Sequence, residues 1–129
     1  MMKHRSEHKL LIDKAKSRNL IDDQILFVLA IREVEDGSEG NEFNLKVVKD
    51  TSLSIQVDWL IDFIVSESKE YLDYTLALGI LEPIGFVPFF AGHNLMVKEG
   101  MFHSPFWVAN VCAAIEEISK EYYGSTDVS

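Results

Sequence analysis

The chain predicts a mainly α fold: a single-domain helical bundle of about five helices over residues 1–129. A small β-hairpin, which would make it α+β, is the alternative. Three observations lead there. Apolar residues recur at i, i+3, i+4 and i+7 in several stretches. Helix-starting Ser and Asp precede those stretches, and Asn, Gly or Pro follow them. The 129 residues are 47% apolar and 26% charged, which suits one domain with a real core rather than a disordered chain.

Residues 1–5 are read as a frayed end. Ser6 is placed to cap a first helix over 6–18. His8, Leu11, Ile12 and Ala15 form its thin apolar stripe, and Lys9, Lys14, Lys16 and Arg18 take the other faces. Asn19 suits a C-terminal cap. A basic amphipathic helix can bind a membrane or nucleic acid, but so thin a stripe fits packing near an acidic body better. Asp22 is placed to cap a second helix over 22–34. The centre of that helix, from Ile25 to Ile31, is apolar all round, so it is expected to be buried on most sides.

An acidic loop follows, with Glu33, Glu35, Asp36, Glu39 and Glu42 around Gly37 and Gly40. It lacks the regular carboxylate spacing of a calcium hand. Phe43, Leu45 and Val47, then Leu53, Ile55 and Val57, alternate with mostly polar residues, which is the hairpin pattern over 43–57. Lys49-Asp50-Thr51 between them is not a strong hairpin turn. From Asp58 the period becomes helical, giving a helix over 58–65 with Asp58 and Asp62 as its polar stripe. Ser66 is placed to cap another over 67–80, stopped by Gly79 and Pro83.

The stretch 80–111 holds all three prolines and five of the eight phenylalanines. It is apolar yet broken by Gly and Pro, so it reads as an irregular segment packed into the core or covered by a partner. Ser104-Pro105 is a strong start for a last helix over 104–123, with Trp107, Val111, Ala114, Ile115, Ile118 and Tyr122 as its stripe. Residues 125–129 are read as a second frayed end.

The net charge of −9 is unevenly spread. Residues 1–20 carry six Lys/Arg against two Asp/Glu, a charge of +4, and the remainder carries −13. An acidic body repels phosphate, which argues against nucleic acid as a partner, and attracts a basic protein. The single cysteine, Cys112, allows no internal disulfide. The opening residues lack the apolar core of a signal peptide, and no apolar run reaches membrane-span length. A cytoplasmic location is the expectation.

No nucleotide, metal-hydrolase or nucleophile-elbow motif occurs, and no cofactor is called for. His4 and His8, at i and i+4, are two ligands short of a tetrahedral metal set. His93 and His103 sit beside apolar walls and form the alternative catalytic pair, for a small histidine-dependent hydrolase or nuclease. The leading expectation is a small protein that neutralises a basic partner, as an immunity or antitoxin-type inhibitor does with a nuclease-like toxin. Glu33, Glu35, Asp36, Glu39, Glu42, Asp58 and Asp62 are its expected contacts. A third reading is an adaptor that self-associates as a homodimer through the Phe-rich stretch.

Overall fold

The computed structural model describes residues 2–78, Val87, Phe90 and residues 105–123. Four helices occur among them: α1 (His8–Ser17), α2 (Asp22–Val34), α3 (Leu53–Leu78) and α4 (Pro105–Tyr123). Short 3-10 turns at Arg5–Glu7 and Lys46–Val48 complete the regular structure described. The fold is mainly α, as expected from the periodicity. None of these helices is long and apolar enough to cross a membrane.

The α2 helix is the centre of the packing, set against α4 most extensively and against α1 and α3 as well. Its unbroken apolar run explains this, since every residue from Ile25 to Ile31 is buried. The thin stripe of α1 also packs inward, with His8, Leu11 and Ala15 buried. Asn19 takes the left-handed conformation, with φ 60°. Its N–H donates to the Lys16 carbonyl, and the Leu20 N–H reaches back to the Ala15 carbonyl at 3.1 Å. That paired closure is a Schellman ending, and Leu20 is buried beside it.

Several boundaries differ from expectation. Ser6 does not cap α1: it lies inside the Arg5–Glu7 turn. Nor does Asp22 cap α2; the extended residue Ile21 precedes the helix, and Gln24 Oε1 accepts its N–H at 3.0 Å. Asp22 and Asp23 instead occupy the first turn, where negative charge complements the helix dipole.

The hairpin over 43–57 does not form. Asn44 and Asp50 both adopt left-handed backbone, with φ 55° and 60°, which ends any extended run. Ser52 caps a helix instead, its Oγ accepting the Ile55 N–H at 3.2 Å. Val57, Leu60, Ile61 and Ile64, spaced i, i+3, i+4, i+7, are all fully buried on that helix. This longer helical stripe outweighs the short alternation before it, and Ile55 stays half-exposed. The separate helices expected over 58–65 and 67–80 are, as far as Leu78, one continuous helix, α3, so Ser66 is an exposed interior residue rather than a cap; residues 79 and 80 and the expected stop at Gly79 and Pro83 lie outside the described residues.

Phe90 and Val87 bring part of the Phe-rich stretch into the core. The Phe90 ring meets Phe27 edge-on at 4.8 Å and Phe63 at 5.3 Å, and Phe63 stacks on Trp59. Pro105 opens α4, as its fixed φ favours.

Candidate functional site

The acidic segment after α2 is a knitted structure rather than a loose loop. Gly37 N–H donates to the Glu42 carbonyl, Asn41 N–H to Ser38, Asn44 N–H to Asn41, and Asp50 N–H to Gly40. A side chain at Gly37 would place its Cβ 1.8 Å from the Asn41 carbonyl oxygen, so only glycine fits there. Glu42 works inward: its Oε1 accepts the Gly40 N–H at 3.1 Å and the Gln56 amide at 2.7 Å. Gln56, itself buried, also accepts the Phe43 N–H and donates to the Thr51 carbonyl. Phe43 and Leu45 plug the segment into the core, both essentially fully buried.

The seven carboxylates expected to meet a partner divide accordingly. Glu33 and Glu35 are buried and fully engaged, which removes them from the surface. Glu35 accepts the Trp107 indole N–H at 2.6 Å and the Asn44 amide at 2.9 Å. Glu33 accepts from Lys3 N–H at 2.6 Å, His4 N–H at 3.0 Å and His8 Nε2 at 2.8 Å. Burial by itself raises the Glu33 pKa. The hydrogen bonds from Lys3, His8 and His4 outweigh it and hold the carboxyl below its ordinary range. Glu42 is partly buried and shapes the segment. Asp36, Glu39, Asp58 and Asp62 keep exposed or half-exposed carboxylates.

Three of the carboxylates are met by the chain's own basic segment. Lys3 pairs with Asp36, Lys14 with Asp58 at 2.9 Å, and Arg18 with Asp62. Lys14 lies on α1 and Arg18 at its C-terminal cap, four residues on, while Asp58 and Asp62 are one turn apart on α3, so the two pairs join the helices like rungs. Arg5 reaches Glu121 on α4, and Lys9 pairs locally with Asp13. Five of the six cations in residues 1–20 are therefore neutralised within the chain, and Lys16 remains exposed. Lys3, His4 and Arg5, expected to fray, are held.

The polar core between α1, α2 and α4 contains a carboxylate–imidazole–phenol line. Glu33 orients His8 through Nε2, and His8 Nδ1 lies 2.8 Å from the Tyr122 hydroxyl. With Nε2–H given to the carboxylate, a neutral His8 accepts the Tyr122 O–H on Nδ1. The same order of groups activates nucleophiles in hydrolases. Here burial and the neighbouring Glu121 push the Tyr122 phenol up, away from activation. His8 itself is buried away from any substrate. The line ties helices together. Arg32 makes a second tie, donating from Nε to Glu7 at 2.5 Å and from Nη1 to the Glu35 carbonyl at 2.8 Å.

Among the described residues no three His, Cys, Asp or Glu side chains converge as a metal set. Cys112 is half-buried, and burial raises its thiol pKa. His93 and His103, and the Phe-rich stretch apart from Val87 and Phe90, lie outside the described residues. Sequence reasoning missed Glu7, Arg32, Asn44, Gln56 and Tyr122 as members of these networks. Their partners lie from 9 to 114 residues away along the chain for most bonds, so no local spacing could reveal them. It also missed Asp50, an exposed residue whose backbone N–H donates to the Gly40 carbonyl.

Compared with protein-family models, curated proteins and solved structures, the chain matches none.

Proposed function

We propose that this chain is a small acidic protein-binding domain that neutralises a basic protein partner, in the manner of an immunity or antitoxin-type inhibitor. The observation that carries the reading is the internal use of the basic segment. With Lys3, Arg5, Lys14 and Arg18 turned onto Asp36, Glu121, Asp58 and Asp62, the N-terminal helix presents little separate cationic surface to phosphate. Exposed carboxylates remain at Asp22, Asp23, Glu39, Asp50 and Glu70.

The knitted segment is the favoured contact. Glu39 and Asp50 ride on backbone fixed by its own hydrogen bonds, so ordering them on binding costs little entropy. Its rigidity comes from the inward carboxylates Glu35 and Glu42. Carboxylates fixed in this way can occupy positions that a basic enzyme keeps for phosphate oxygens.

The test uses the full chain as bait in lysate of the source cells, beside a Glu39→Lys/Asp50→Lys double variant with an unchanged circular dichroism spectrum. A basic protein retained by the parent and lost from the variant is expected. Equal retention by both would remove this surface from the reading.

A further inference from the structure

Two carboxylates grip the first residues of the chain. Lys3 donates its backbone N–H to Glu33 at 2.6 Å and its Nζ to Asp36 at 3.3 Å. His4 donates its N–H to Glu33 at 3.0 Å, and its Nε2 lies 3.0 Å from Asp36. Each of the two residues is thus held twice, by backbone on one acid and by side chain on the other. Glu33 stands in the last turn of α2 and Asp36 just beyond its end. Protonating either acid removes its charge and turns one of its two acceptor oxygens into a donor, so acid weakens both grips. Next to this grip, Met2, Val34, Asn110, Ala113 and Ala114, with Glu33 and Glu117, line a depression of about 220 Å³ between α2 and α4.

We propose that residues 2–7 form an acid-released strap: protonation of Glu33 and Asp36 frees Lys3 and His4 while the helical core stays folded, and uncovers the depression between α2 and α4.

The groups that face Glu33 decide which titration opens the strap. They are Lys3 and His4 on the strap, His8 on α1, and Tyr122 and Glu117 on α4. A protonated His8 still donates through Nε2, so charging the imidazole keeps the contact and adds attraction. Glu117 adds negative charge to the depression, which works against a charged Glu33. Protonating Glu33 puts a donor where three donors already converge. Both acids lie below their ordinary values of 4.5 and 3.8, Glu33 because its hydrogen bonds outweigh burial and Asp36 because of Lys3 and His4. A lowered folded-state value gives stability that is complete above the ordinary range and is lost as pH falls from that range through the lowered value. The strap is therefore closed at neutral pH and opens only below the ordinary carboxylate range. The Glu7–Arg32 and Arg5–Glu121 pairs limit how far it swings.

Amide hydrogen exchange on the full chain from pH 7 to pH 3, corrected for intrinsic rates, tests this. The Lys3 and His4 amides should lose about tenfold or more of their protection, while the Val28 and Ile61 amides keep theirs. Glu33→Gln and Asp36→Asn should each reproduce part of that loss at pH 7, with the helical spectrum retained. If Glu33→Gln does not fold, the parent pH series decides. Loss of Lys3 and His4 protection only in step with Val28 and Ile61 would overturn the proposal, as would full protection at pH 3.

Discussion

The Glu35 carboxylate receives the Trp107 indole N–H on one oxygen and the Asn44 amide on the other, in a buried setting. Removing it leaves the buried Trp107 indole N–H without an acceptor and frees the more exposed Asn44 amide, and a desolvated donor is costly. Glu35→Ala should lower stability by about 2–4 kcal/mol, read as a shift of the urea midpoint. Glu35→Gln keeps one acceptor and should cost less. A change within error for Glu35→Ala would show that the indole finds water or another acceptor. None of this was legible in the run Glu33-Val34-Glu35-Asp36, where three carboxylates look alike. Residue type states that a carboxylate prefers water, and it does not state which one has found a tertiary donor. Here Glu33 and Glu35 turn inward and Asp36 outward because their partners arrive from the N-terminal segment and from α4. Tyr122 was read only as part of an apolar stripe, and its hydroxyl's contact with His8 depended on the same distant packing.

At the level of elements, α1, α2 and α4 stood close to their expected bounds because each combines a sustained helical period with a clear end signal. The α2 run from Ile25 to Ile31, the left-handed Asn19 and the opening Pro105 all acted as local physics dictates. The errors lay where two local signals competed. Leu53, Ile55 and Val57 alternate, but Val57 also begins the buried stripe through Leu60, Ile61 and Ile64. Ser66 resembles a cap because Glu67 follows it, yet no break in the apolar pattern forces the helix to end. Continuity of α3 makes a prediction of opposite sign from a cap. Ser66→Ala in an exposed helix interior should raise stability by about 0.5 kcal/mol, whereas removing a cap would cost about 1 kcal/mol. Thermal unfolding of the variant separates the two, and a lower midpoint would contradict a single α3.

For the whole molecule, charge segregation was legible as a basic start before an acidic body, and its resolution was only partly so. The thin stripe of α1 implied packing on the body. The rungs from Lys14 and Arg18 to Asp58 and Asp62 required knowing that α1 and α3 lie side by side. These exposed pairs contribute little to stability, since solvent screens them. They instead determine which charges the surface offers to other molecules. Attraction between that surface and a basic partner must weaken as salt screens it, over a length of about 8 Å at physiological ionic strength. The most direct measurement is therefore the affinity of the chain for a basic protein recovered with it as bait, taken across a salt series. A dissociation constant that rises steadily with salt, with a shallower dependence for Glu39→Lys/Asp50→Lys, is the predicted result. A constant that does not move with salt would contradict recognition through acidic charge.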